Sequence, residues 1–387
     1  MLFLQPKNLL VNPVYITRLS KYLPNAPVSN EEMEAVLGMV NGKPSRARSI
    51  VLRNNGIKTR FYAIKDGKRT HTNQQLAATA IKGLFDDRLP ISDLQVLATG
   101  TSSPEQILPS HASMVHGELG ISNVEIVSAS GSCCSSMQAL KYACMTVAAG
   151  EAGTAVACGS ERFSAWALAS RYQAEADSWK NLDKDPYLAF EKDFLRWMLS
   201  DGAGAALLQN KPSENGLSLK IEWIEITSFA NELETCMYAG AVKEEDGSLI
   251  GWNDMDIAEW GDKSVFALKQ DTRLLGEHII KKGGDFLREL MGKHNLTAAD
   301  VDYYLPHMSS EYFKKEMMEY MHGIGMDIPA DKWFYNLTRV GNVGSASPYL
   351  MLEELFHSGR LKKGDRLLVM VPESARFTYT YMYLAVV

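Results

Sequence analysis

A layered α/β architecture, with a sheet covered by helices on both faces, follows from short apolar segments that alternate with helix-forming ones along the 387-residue sequence. Hydrophobic residues make up 46% of the chain, enough for a core serving two ordinary domains or one large duplicated one. The order of elements in the second half echoes the first, which favours duplication. The halves divide near residue 212, giving units of 1–212 and 213–387.

The first half offers strands near residues 94–100 and 124–128, a helix running from Cys133 to about Ala149, and a strand at 154–158. Residues 173–197 are charged and aromatic and read as an insertion or cap. The small-residue run SDGAGAALL (200–208) then turns into another strand. In the second half, 217–227 alternates as a strand. Residues 231–263 are polar, with several glycines and with Trp252 and Trp260, and read as a surface excursion placed to border an entrance. Beyond it lie helical patterns at 264–294, 309–321 and 346–358, and strands at 301–305, 366–371 and 377–386.

Forty basic against 46 acidic residues give a net charge of −6, with no Lys/Arg block suited to nucleic acid or a membrane surface. Five cysteines without CxxC or Cys/His ligand spacing argue against a disulfide framework and a structural metal. No apolar run reaches the ~20 residues of a membrane span. The first 15 residues, broken by Pro6, Lys7, Asn8 and Pro13, lack the form of a signal peptide. A reducing cytoplasm is the expected compartment.

The chemistry centres on Cys133-Cys134, where Ser130, Gly131 and Ser132 form a tight turn into a helix. Amide N–H groups and the helix dipole at such a terminus are expected to lower a thiol's pKa and make it nucleophilic. His307 follows an apolar strand and precedes a helix, and Asn342 stands in the glycine-bracketed turn RVGNVGS (339–345). Each alone has a structural explanation, as a buried cysteine, a strand-end histidine or a turn-forming asparagine. Cys, His and Asn in that order form a set able to hold an acyl group and stabilise an enolate.

At these residues the chain resembles the β-ketoacyl-acyl carrier protein synthase III family of the thiolase fold. LATGTSSPEQILPSHASMVHGELGI (97–121), SDGAGAALL (200–208), LPHMSS (305–310) and VGNVGSASP (340–348) are similar to family segments and occur in family order, from about Asn55 onward. The resemblance implies a duplicated, five-layered α-β-α-β-α fold and a homodimer. It also implies catalytic Cys133, His307 and Asn342, with thioesters on acyl carrier protein or coenzyme A and neither metal nor cofactor. Helix position alone fits both thiols; counting back from Gly150 puts the family cysteine on Cys133. Asn rather than Asp at 342 favours condensation, since an amide donates to an enolate and a carboxylate repels it.

The departures are specific. Ser374-Ala375-Arg376 replaces the glycine triplet before the last strand, and Tyr312 stands where the family carries a carrier-contacting arginine. Ser374, Arg376, Phe377 and Cys134 are therefore candidate substrate contacts, and Lys314 and Lys315 are candidates for carrier docking. The chain is similar to ketosynthases of dialkylresorcinol and flexirubin synthesis, which implies joining a 3-oxoacyl to a 2-enoyl thioester to give a cyclohexanedione precursor. Decarboxylative condensation of a malonyl group with an acyl starter, and simple acyl transfer, are the alternatives.

Overall fold

The computed structural model describes residues 11–45, 48–171 and 195–387. Nine strands form one continuous sheet: β1 (Tyr15–Tyr22), β2 (Val96–Thr101), β3 (Glu125–Ser130), β4 (Thr154–Glu161), β5 (Gly202–Gln209), β6 (Leu219–Ser228), β7 (Tyr303–Pro306), β8 (Arg366–Glu373) and β9 (Thr378–Val386). Six helices matter for the site: α1 (Asn73–Lys82), α2 (His111–Leu119), α3 (Ser135–Ala148), α4 (Thr272–His294), α5 (Lys314–Gly323) and α6 (Ser347–His357). Among the described residues no helix is long and apolar enough to cross a membrane.

Strand order is β7-β8-β9-β6-β1-β5-β4-β2-β3, and it contains a repeat. From its outer edge inward, the N-terminal portion runs β3-β2-β4-β5-β1, with β3, β2 and β4 parallel and the last two antiparallel. The C-terminal portion runs β7-β8-β9-β6, with Trp333 bridging Tyr304 in parallel where β3 stands in the other. In the sheet the two are joined through Tyr15↔Lys220 and Ile16↔Leu219, between β1 and β6.

Each portion covers its sheet in the same way. Leu76, Ile81, Val115 and Leu119 of α1 and α2 pack with Leu97, Val156 and Leu207 on one outer face. Ile279, Leu287 and Met317 of α4 and α5 pack with Tyr304, Leu368 and Tyr381 on the other. Between the sheets, Met137 and Leu140 of α3 and Tyr349 and Leu352 of α6 share one core with Val96 and Ala155 and with Val369 and Met382. Burying both faces of both sheets in this way produces five layers.

Several expectations are revised. The stretch before Asn55, for which no strand is read from the sequence, supplies β1 at the middle of the sheet. Residues 264–271 are not helical; α4 starts at Thr272 because Asp271 caps it, its side chain accepting from Leu274 N–H at 2.9 Å. The expected insertion at 173–197 lies outside the described residues except for its last three.

Candidate active site

Sheet edges and turns bring three distant segments to one place. β3 ends at Ser130, Gly131 follows at φ 149°, and the chain enters α3 with Cys134 as its N-cap. A Cβ-bearing residue rarely adopts that backbone, so glycine permits the reversal that places Cys133 on the cavity wall.

His307 directly follows β7, its N–H donating to the Met370 carbonyl of β8 at 2.8 Å. The Asn342 backbone pairs with the segment ahead of β5: Asn342 N–H donates to Met198 O at 3.0 Å, and Ser200 N–H to Asn342 O at 2.9 Å. Asn342 Oδ1 accepts the Gly344 N–H at 2.9 Å, leaving its Nδ2 as the end available to donate. The next residues reach α3's side of the sheet because Gly159 has no Cβ, which would lie 2.3 Å from the Ser345 carbonyl oxygen.

Cys133, His307 and Asn342 all line a cavity of about 550 Å³. That volume is in the ordinary range of a small-molecule site. Its wall is largely apolar. Met237, Tyr238 and Trp252, from the segment read as a surface excursion, line the cavity, and Phe266 joins them from just beyond it. Trp260 sits behind them, edge-on to Trp252 and Phe266 with ring centroids 5.6 Å from each.

The electrostatics differ from the sequence expectation. Burial, aided by the Glu373 and Glu161 carboxylates, pushes the Cys133 thiol up to about 12, so the helix terminus does not present a ready thiolate. Burial holds His307 down to about 4, so the imidazole is neutral near pH 7 and able to donate one N–H.

Of the other candidates, Ser374 lines the cavity. Cys134 does not: it is buried, with its thiol directed at the Val371 carbonyl, 3.2 Å away. Arg376 is exposed and donates to the Leu233 carbonyl at 3.3 Å, while Phe377 is buried against His278. Neither lines the cavity, because the backbone reverses between Ala375 and Thr378 with Phe377 at φ 57°. Lacking the glycines, the chain makes its left-handed turn at a phenylalanine, a conformation held by packing. Lys314 donates to Tyr335 Oη at 2.8 Å, and the exposed Lys315 pairs with Glu319 at 3.6 Å.

Two buried carboxylates escaped the sequence reading. Glu161, ending β4, accepts from Ser102, Ser103, Thr101 and Ser345. Glu373, ending β8, accepts the Ser132 N–H at 3.4 Å. An acid closing an otherwise apolar strand is the only sequence signal either one gives.

Comparison with known proteins finds likenesses along most of the chain. Residues 54–185 match the family model for the thiolase N-terminal domain, and residues 291–377 match that for the 3-oxoacyl-acyl-carrier-protein synthase III C terminal. The chain is 25% identical over 347 residues to a β-ketoacyl-acyl-carrier-protein synthase III of Rickettsia felis, covering 90% of this chain and 92% of that protein. Among solved structures, the tetronic acid condensing enzyme AbyA1 superposes with a TM-score of 0.74 at 22% identity, over 96% of this chain and 99% of that one. A cysteine-to-serine variant of Xanthomonas campestris OleA, solved with lauric acid and lauroyl-CoA, gives 0.72 at 19% identity over 97% and 100%.

Proposed function

The chain belongs to the β-ketoacyl-acyl carrier protein synthase III family of thiolase-fold condensing enzymes, and on that premise we propose that Cys133 carries an acyl group to which a second thioester is joined through a carbon–carbon bond. The observation that carries this reading is the convergence of Cys133, His307 and Asn342 on one largely apolar cavity.

In the first half-reaction the Cys133 sulfur attacks an acyl thioester and releases the carrier thiol. In the second, a neutral His307 N–H and the Asn342 amide donate to the thioester carbonyl of the incoming substrate, stabilising the enolate that forms there. The substrates are a 3-oxoacyl and a 2-enoyl thioester, joined by Michael addition and Claisen condensation to a cyclohexanedione precursor of dialkylresorcinols. A carbon flanked by two carbonyls is acidic enough to need no decarboxylation. Delivery is by acyl carrier protein or coenzyme A, to a cytoplasmic homodimer. Lys315 is the better placed of the two lysines for carrier docking, being largely exposed where Lys314 is engaged by Tyr335.

Intact-mass analysis after incubation with acyl thioesters tests the first step: an adduct is expected on the natural chain and on Cys133-intact Cys134→Ala, and none on Cys133→Ala. Product analysis with 3-oxoacyl plus 2-enoyl thioesters in one tube, and malonyl plus acyl thioesters in another, tests the substrate pair. A β-ketoacyl product from the second tube alone would refute the resorcinol-type coupling.

A further inference from the structure

Glu373 turns its side chain into the protein at the end of β8, leaving the residue 7% exposed. Its carboxylate accepts the N–H of Ser132 at 3.4 Å, and the Cys134 N–H also favours its charged form, so it faces the backbone on both sides of Cys133. Pro372, Ser374 and Ala375 around it line the cavity. Among the described residues no cation offsets it: burial and those two amides are what act on its ionisation, and burial dominates, raising its pKa. The titratable groups it faces are Cys133 and Cys134, with Glu161 adding a second negative charge near Cys133.

As a helix cap alone this arrangement is counterproductive. An anion set beside a sulfur that must acquire negative charge opposes its ionisation, and a neutral Ser or Asn satisfies the same amides. The opposition disappears when the anion itself accepts the proton. Building on the reading of Cys133 as the acyl-accepting residue, we propose that Glu373 is the general base for Cys133, taking the thiol proton as the sulfur attacks.

The step balances. The Cys133 S–H bond breaks and its proton goes to a Glu373 oxygen, while the sulfur lone pair forms the bond to the acyl carbon. The carbonyl π electrons move to oxygen and then return, breaking the bond to the carrier sulfur. Glu373 gives its proton to that leaving thiolate, so the thioester is exchanged, the carboxylate is restored, and no other reactant is consumed. Two anions never stand side by side during the sequence. The amides of Ser132 and Cys134, released by a protonated Glu373, are free to strengthen their hold on developing charge.

The test compares two reactions of the same sulfur in the natural chain, Glu373→Gln and Glu373→Asp. Acylation by an acyl-CoA at pH 7.5 is followed by intact mass, and alkylation by iodoacetamide reports the thiolate. Loss of the base should slow acylation by ~100-fold or more in Glu373→Gln. Loss of the negative charge should speed alkylation at pH 8, by about tenfold for each unit the thiol pKa falls. Glu373→Asp should recover part of the acylation rate.

Opposite movement of the two rates in a variant that melts like the parent supports the proposal. Both rates rising, or both falling, overturns it. Should Glu373→Gln fail to fold, the pH profile of the natural chain decides. Acylation that levels off between pH 7 and 9 supports a carboxylate base, and acylation that climbs about tenfold per unit refutes it. An absent Cys133 adduct on the natural chain would instead defeat the underlying reading of Cys133.

Discussion

Ser345 donates twice to Glu161, through its hydroxyl at 2.6 Å and its backbone N–H at 3.1 Å, both to Oε1. This joins the loop carrying Asn342 to the end of β4, across 184 residues of sequence. The same carboxylate gathers hydroxyls from Thr101, Ser102 and Ser103 at the end of β2. Its charge is buried at a cost, and these donors offset that cost.

Replacing Ser345 by Ala removes one charge-assisted donor and leaves Glu161 short of a partner. The expected loss is about 1–3 kcal/mol of unfolding free energy. Urea denaturation measures it. Condensation should fall further than acylation, because the loop positions Asn342 and not Cys133.

Gly159→Ala places a Cβ 2.3 Å from the Ser345 carbonyl oxygen, a backbone atom that cannot swing aside. Overpacking of this kind costs about 1–3 kcal/mol. A lowered denaturation midpoint together with reduced condensation would show that the strand and the asparagine loop must touch.

Asn342→Asp keeps the side chain's shape and replaces its donor with an acceptor. Condensation should fall by about 10²–10³-fold, the loss seen when one oxyanion donor is removed. The acyl adduct on Cys133 should still form. A variant that condenses at the parental rate would show that the amide does not meet the enolate.

His111 and His307 share one pH signature, since burial lowers both to about 4 from 6.5. Between those values the unfolded chain binds more protons than the folded one, so each contribution is complete above pH 6.5 and is lost as pH falls toward 4. At pH 4.5 each withdraws about 2–3 kcal/mol relative to neutral pH. Asp201, raised to about 6 by burial, acts in the other direction as it protonates. His111 bonds to Ser160 Oγ at 2.9 Å, and Gln can replace that contact without titrating. His111→Gln should therefore lose about 2–3 kcal/mol less than the parent between pH 7 and 4.5, by urea titration at each pH.

Cys133, His307 and Asn342 were legible because each stands where an apolar strand or a glycine turn ends, and each residue type has a matching chemical use. Glu161 and Glu373 were not, since what defines them is their partners: Glu373 meets Ser132 across 241 positions. The thiol's ionisation was misjudged for the same reason, as local sequence shows the helix terminus and hides the two carboxylates opposing it. β1 was missed because its alternation is broken by a bulge between Ile16 and Arg18, which puts Ile16 and Thr17 both inside. The start of α4 was misplaced because residues 264–271 are apolar enough to extend a helix, while Asp271 fixes where it begins.

The place of β1 bears on how the protein is made. It is made before both of its neighbours: its long antiparallel partner β5 ends at Gln209, and β6 lies further on still. The nascent chain must hold an unpaired strand until β5 and β6 have followed it. Trimming past Tyr15 would then remove the hinge plank of the molecule and not a loose end.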